Sequence, residues 1–194
     1  MFDLRLAELA DVPALEPLIA AAARALSVGF YSERQAESAL RYIFGPDTQL
    51  IRDGTYFVAV SRVEGDAGRV IGCGGWSRRR TLFGGDQAKG AEDPLLDPGL
   101  DPARIRAFFV DPGWARRGVG RAILEACTAA ARRAGFRSLE LVATLPGEPL
   151  YRAGGFEVAE RFELQLPDGV ELPVARMVRL EIDYSGRNSS RRAS

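Results

Sequence analysis

Arg116, Arg117, Gly118, Val119, Gly120 and Arg121 combine positive charge with residues that carry little or no side chain. Such a run suits phosphate oxygens. Guanidinium groups pair with them directly, and Gly118 and Gly120, lacking a Cβ, let a ligand approach the backbone. After Gly120 the apolar residues Ile123, Leu124, Cys127, Ala130, Ala131 and Ala134 recur at three-and-four spacing, so the run opens a helix. The first N–H groups of a helix have no intrahelical partner, and the helix dipole is positive there. Together these features predict a diphosphate site. An ordinary strand-turn-helix with packed glycines and solvated arginines fits the same residues, because a short Gly-x-Gly is a weak signal. The Walker loop is excluded, since neither Gly-Lys-Ser nor Gly-Lys-Thr occurs. The dinucleotide fingerprint lacks its third glycine, although Glu140 lies at a suitable distance.

Other chemistries are narrowed by composition. There is no histidine, which removes Ser-His and Cys-His arrangements and any His-ligated metal; no metal site is expected. Cys73 and Cys127 stand alone and read as buried thiols in a reducing cytosol. The N-terminus has no charged region followed by an apolar run, and no segment approaches a membrane span, so a soluble cytoplasmic protein is expected. Lys plus Arg, 26, equals Asp plus Glu, 26, so no global field draws nucleic acid or an anionic membrane. Arg78-Arg79-Arg80 has no aromatic interleaving and reads as a solvated strand end.

The elements that must hold the Arg116–Arg121 run follow from periodicity. Ile105 to Val110 is β-branched and aromatic, a strand broken by Asp111-Pro112-Gly113; Gly135 stops the helix. Upstream, Phe2 to Ala7 alternates as a half-buried strand. Asp11 is placed to cap a helix with Leu15, Leu18, Ile19, Ala22, Ala23 and Leu26 inside, and Ser32 to cap a second over Ala36, Ala39, Leu40 and Ile43. Tyr56 to Val60 and Arg69 to Trp76 form a hairpin around Gly65–Gly68. Gly72, Gly74 and Gly75 within it predict a bulge or a close backbone approach, and Trp76 either fills core or flanks a pocket. Residues 81–102 show no hydrophobic period, which points to a functional or a disordered loop. Downstream come a strand at Ser138–Ala143, a short helix at Gly147–Ala153 and a strand pair, Val158–Leu166 and Val170–Ile182. The order is βααβββαβαββ, an α/β arrangement in which residues 1–183 form one domain and 184–194 a polar disordered tail.

Two segments carry a resemblance to a known family. Ala115-Arg116-Arg117-Gly118-Val119-Gly120 is similar to the Gln/Arg-x-x-Gly-x-Gly/Ala signature of the GCN5-related N-acetyltransferases, with Ala115 departing at the first position. Tyr151-Arg152-Ala153-Gly154-Gly155-Phe156 resembles that family's Tyr-x-x-x-Gly-Phe segment. The resemblance runs from Phe2 to about Ile182 and implies a GNAT-like mixed, mostly antiparallel central sheet flanked by helices. It implies acetyl-CoA as cofactor, coenzyme A as product, and direct acetyl transfer to a primary amine of a small molecule or peptide. The diphosphate would sit on Ala115 to Arg121. The pantetheine arm would pair with the backbone of Phe108, Phe109 and Val110, where an N–H could polarise the thioester carbonyl.

Tyr151 would be the acid returning a proton to the leaving thiolate, its reference pKa near 10 suiting that work; the alternative is that it only packs. The first two helices would flank the acceptor pocket, bringing Phe30, Tyr31 and Arg34 near it. The 81–102 loop would be an insertion on the acceptor side. Its acids Asp86, Glu92, Asp93, Asp97 and Asp101 would favour a cationic acceptor, or would merely solubilise. No base is identified: Arg104 and Arg106 are unsuited, and Glu140, Asp86 and Asp101 stay open. A non-catalytic acyl-CoA-binding or sensing domain of the same fold is the alternative function. Edge strands near the C-terminus leave a homodimer open.

Overall fold

The computed structural model describes residues 1–90 and 92–180. Seven strands form one sheet: β1 (Phe2–Leu6), β2 (Tyr56–Ser61), β3 (Val70–Ser77), β4 (Ala103–Val110), β5 (Leu139–Thr144), β6 (Glu157–Gln165) and β7 (Glu171–Arg179). They lie in the order β1-β2-β3-β4-β5-β7-β6. All neighbours are antiparallel except β4 and β5. The helices are α1 (Val12–Ser27), α2 (Glu33–Tyr42), α3 (Thr48–Arg52), α4 (Val119–Arg133) and α5 (Glu148–Ala153). This is the expected order with α3 added, a helix too short for periodicity to reveal. The tail expected at 184–194, and the last residues of the strand expected to reach Ile182, lie outside the described residues.

Strand alternation sorts the core onto two faces. Ala59, Ile71 and Ile105 pack with α4 residues Val119, Ile123, Leu124 and Cys127. Val58, Val70 and Cys73 pack with α1 residues Leu15, Leu18 and Ile19. Ser32 caps α2 as expected, its hydroxyl accepting from the Gln35 N–H while the Gln35 side chain accepts from the Ser32 N–H. Asp11 departs from expectation. Its carboxylate turns back to the Glu8 N–H (2.8 Å) and to Arg5 (2.7 Å), so it closes the preceding turn and does not cap α1.

Two irregularities in β4 set the local geometry. Its pairing with β5 stops at Arg104 and Glu140 although both strands continue, so they part into a wedge. Its register against β3 also shifts, with Ala107 and Phe108 facing the single residue Gly74, and Ala107 has φ 55°. This bulge re-aims the strand. Ile105 faces the α4 side, Ala107 and Phe109 face the α1 side, and Phe108 and Val110 return to the α4 side. The glycines of β3 serve both expected purposes: the register shifts between Cys73 and Gly75, and a Cβ on Gly74 would lie 2.6 Å from the Phe108 ring. Trp76 is core, edge-on to Phe136.

The 81–102 segment is docked. Leu96 is buried, its N–H donates to Arg78 O (2.8 Å), and the Arg80 N–H donates to Pro94 O (3.0 Å). Arg79 pairs with Asp53 at 2.6 Å and reaches Asp93 O. The solvated strand end expected at Arg78–Arg80 is thereby corrected at Arg79. No helix among the described residues is long and apolar enough to cross a membrane.

Candidate functional site

The first turn of α4 lies beside the wedge. Arg116 (φ 62°) and Gly118 (φ 84°) have left-handed backbone, the kind from which anion-binding concavities are built. At Gly118 a side chain would be strained by about 1–2 kcal/mol. Among the described residues the amides of Arg116, Gly118, Val119, Gly120 and Arg121 donate to no protein oxygen, whereas that of Ala122 bonds Gly118 O. Ala115 closes a tight turn onto Pro112 O (3.3 Å). The side chains are less uniform than the sequence suggests. Arg116 is exposed. Arg117 lies over the Trp114 ring at 5.4 Å, and Arg121 pairs with Glu125 at 2.8 Å. Backbone donors are thus the constant feature of the turn, and two of its guanidinium groups already have neighbours.

Val119 is buried, and its Cγ1 sits where a Cβ on Gly72 would come within 2.6 Å. Gly72 therefore sets how closely the start of α4 lies on β3. A Cβ on Gly120 would meet Leu150 at 3.1 Å and Val110 at 3.6 Å, bringing α4, α5 and β4 together. The close backbone approach expected among the β3 glycines is thus seen at Gly72, whereas Trp114 carried no signal in the sequence.

Tyr151 projects from α5 into this junction, edge-on to Phe108 and to Phe156 at 6.0 Å each. Its hydroxyl makes no hydrogen bond among the described residues, yet it is not one of the sealed, unpartnered polar atoms, so it keeps an opening to solvent. Burial pushes its pKa well above the ordinary phenol value, which holds the proton on the oxygen at neutral pH. Phe109, by contrast, points to the opposite face and packs edge-on to Phe44 at 5.5 Å. Of the three strand residues, only Phe108 and Val110 share a face with Tyr151.

On the α2 side, a small cleft is lined by Phe44, Phe83, Val142, Thr144, Leu164 and Val174, among others. Val142 and Thr144 belong to β5 beyond the point where it leaves β4. Tyr31 fixes the neighbouring wall, its hydroxyl donating to Pro173 O (2.6 Å) and accepting from the Leu145 N–H (2.9 Å). Phe30 is exposed instead, as is Arg34.

The carboxylates around this cleft are engaged. Glu140 bridges Arg104 and Arg176 (3.0 Å), and Arg176 also reaches Glu160 (3.3 Å). Asp47, fully buried, accepts from the Leu50 N–H at the start of α3 and pairs with Lys89 and with Arg106 at 2.9 Å. Arg106 also donates to Gly84 O at 2.5 Å, pinning the 81–102 segment. Asp86 accepts from the Thr48 N–H (3.1 Å) and pairs with Lys89 (3.3 Å), while Asp101 accepts from the Asp97 N–H. Of the acids that read as an acceptor-attracting surface, Asp86 is paired with Lys89, and Asp93, Asp97 and Asp101 accept backbone N–H groups, while Asp86, Glu92 and Asp97 stay exposed. Asp47 was missed, although Pro46-Asp47-Thr48 is a helix-start signal. Burial pushes the thiol of Cys73 up to about 12 and that of Cys127 higher still, so neither presents a thiolate.

Comparison with known proteins bears on this geometry. Residues 52–158 match the family described as the acetyltransferase (GNAT) domain. No curated protein gave a significant match. Among solved structures, a GCN5-related N-acetyltransferase from Rhodopseudomonas palustris superposes with TM-score 0.66 and 19% identity, covering 92% of this chain and 94% of that one. PaiA N-acetyltransferase from Thermoplasma acidophilum, solved with coenzyme A, gives 0.61 and 12%, covering 93% and 99%. A putative acetyltransferase, yncA, from Salmonella typhimurium, solved with acetyl-CoA, gives 0.60 and 17%, covering 98% and 99%. At these identities the likeness is one of fold, and it extends to the mixed, mostly antiparallel sheet.

Proposed function

The chain belongs to the GNAT acetyltransferase domain family, and from that premise we propose that it moves an acetyl group from acetyl-CoA directly to a primary amine. The observation that carries this reading is the β4–β5 wedge, which leaves the backbone of β4 beyond Arg104 unpaired on one side and ends at the free amides of the α4 turn. Such an edge accepts a ligand's amides as it would another strand. Acetyl-CoA supplies an activated thioester acyl group.

Residues of this chain supply the rest. The amides of Arg116 and of Gly118 to Arg121 bind the diphosphate, with Arg116 free to add charge. The backbone of Phe108, Phe109 and Val110 orients the arm, and Phe108 and Val110 wall it on the α4 side. Tyr151 holds a proton at its hydroxyl for the departing sulfur. Its raised pKa favours hydrogen-bond donation over complete transfer until negative charge has built up there.

The amine must arrive neutral. At pH 7 an alkylamine of pKa about 10.4 is neutral in only about one molecule in several thousand. The carboxylates beside the cleft are paired with cations, so deprotonation falls partly to the apolar lining. Burial there disfavours the ammonium form and releases its proton to solvent.

The test is thiol release from acetyl-CoA across a panel of amines, with acetyl-CoA binding followed by calorimetry on the same protein. Binding together with release for one amine class is expected. Binding without release for any amine would favour a non-catalytic acyl-CoA sensor. Absence of binding would overturn the reading of the α4 turn.

A further inference from the structure

We propose that the acceptor is a primary amine carried on a compact apolar body with no second positive charge, and that the 81–102 segment supplies one wall of its cleft through Phe83. The proposal rests on the acetyltransfer reading and concerns the chemistry of the cleft on the α2 side. Phe44, Phe83, Val142, Leu164 and Val174 give that cleft hydrocarbon walls from four separate parts of the fold. The cleft is small, so the part of an occupant that seats in it is compact.

Thr144 is the polar exception. Its hydroxyl makes no hydrogen bond among the described residues and is not a sealed atom, so it is available to accept from an incoming N–H. It stands at the end of β5, where the cleft meets the wedge.

The flanking charges argue against a polycation. On the sheet side, Arg104, Glu140, Arg176 and Glu160 form an alternating chain of ion pairs with no net charge. On the α3 side, Arg106, Asp47, Lys89 and Asp86 form a second neutral group. A diamine entering between them would desolvate its second ammonium against hydrocarbon, and every neighbouring carboxylate in these two groups already holds a cation. An uncharged body loses nothing in the same place. The network also fixes the wall: Arg106 holds Gly84 O, and the Gly85 N–H donates to Ile43 O at 2.8 Å, so Phe83 is set beside two anchors.

The experiment compares isopentylamine and phenethylamine with 1,4-diaminobutane and spermidine as acceptors in the thiol-release assay. Leucinamide and a Leu-initiated tripeptide, run beside them, separate a free amine from a peptide N-terminus carrying the same group. The apolar amines should exceed the diamines at least thirty-fold in kcat/KM. Phe83→Ala should lower the apolar-amine kcat/KM about tenfold with acetyl-CoA affinity unchanged, and Val142→Asp should narrow the preference at least tenfold. Ligand-detected NMR binding of the same amines gives a readout independent of turnover. If acetyl-CoA binding or turnover is absent, the acetyltransfer reading fails, and preferential binding of the apolar amines would still uphold the cleft's chemistry. Equal or better binding or turnover of the diamines would overturn the inference.

Discussion

Replacing Gly72 by Ala tests whether strand β3 positions the turn that opens α4, the proposed diphosphate cradle. The added Cβ would lie 2.6 Å from Val119 Cγ1 and 3.5 Å from Ile123 Cδ1 and Phe109 O. Val119 cannot easily rotate away, since a β-branched residue in a helix has one strongly preferred rotamer, and it is 1% exposed. The start of α4 must therefore lift from the sheet. Overpacking of this kind costs about 1–3 kcal/mol, against a gain of about 0.4–1 kcal/mol from restricting the unfolded chain. The net destabilisation is roughly 0–2.6 kcal/mol, a fall in Tm of up to about 10 °C for a chain of this size. Acetyl-CoA binding should weaken about tenfold, equivalent to about 1.4 kcal/mol, because the displaced amides are those of the proposed cradle. Val119→Ala alone removes two buried methyl groups, about 1.6 kcal/mol by transfer. In the Gly72→Ala background it makes room for the new methyl, so the double variant should recover both stability and affinity. Calorimetric titration and thermal melts on the four proteins complete the cycle. Additive losses, or an unchanged acetyl-CoA affinity in Gly72→Ala, would refute the coupling between β3 and the cradle.

Three further outcomes are expected. Tyr151→Phe should lower kcat about 10²- to 10⁴-fold with acetyl-CoA affinity unchanged, measured by thiol release and calorimetry, because only the proposed proton donor is removed. Asp47→Ala leaves the Arg106 guanidinium buried without its carboxylate and should cost about 3–5 kcal/mol in denaturant titration. It should also speed hydrogen exchange at the Gly85 and Asp86 amides, which now bond Ile43 O and Pro46 O. Burial raises Tyr31 from 10.0 to about 12, so its stabilising effect is complete below pH 10 and is lost as pH rises through 12. That loss is on the order of 3 kcal/mol, and Tyr31→Phe should flatten this part of the alkaline stability profile.

The architecture was legible along the chain wherever a single segment carried its own signal. Five apolar positions on α4, the Ser32 cap and the break at Asp111–Gly113 are local, and local backbone physics is enough to place them. The two motifs, at Ala115–Gly120 and Tyr151–Phe156, likewise marked the turn and the short helix, because free helix amides and a glycine stop are properties of a few consecutive residues. Other features had no local signal. The five residues of α3 are too few to show a period. The bulge at Ala107 was signalled only as glycines on the neighbouring strand, so the opposite facings of Phe108 and Phe109 could not be read from β4 itself. Asp86 looked like a solvent-facing acid in a loop; its i,i+3 pair with Lys89 is local, but its contact with the Thr48 N–H emerges only when that loop is laid on the rest. Arg106 and Asp47 lie 59 positions apart and meet only because the fold brings the residue that opens α3 to β4. Neighbours along the chain dictate which segments become strands and helices and where backbone amides are left unpaired, so both are readable from residue order. Which charges are already neutralised, and which walls stay apolar, depends on neighbours in space, and those exist only once the chain has folded.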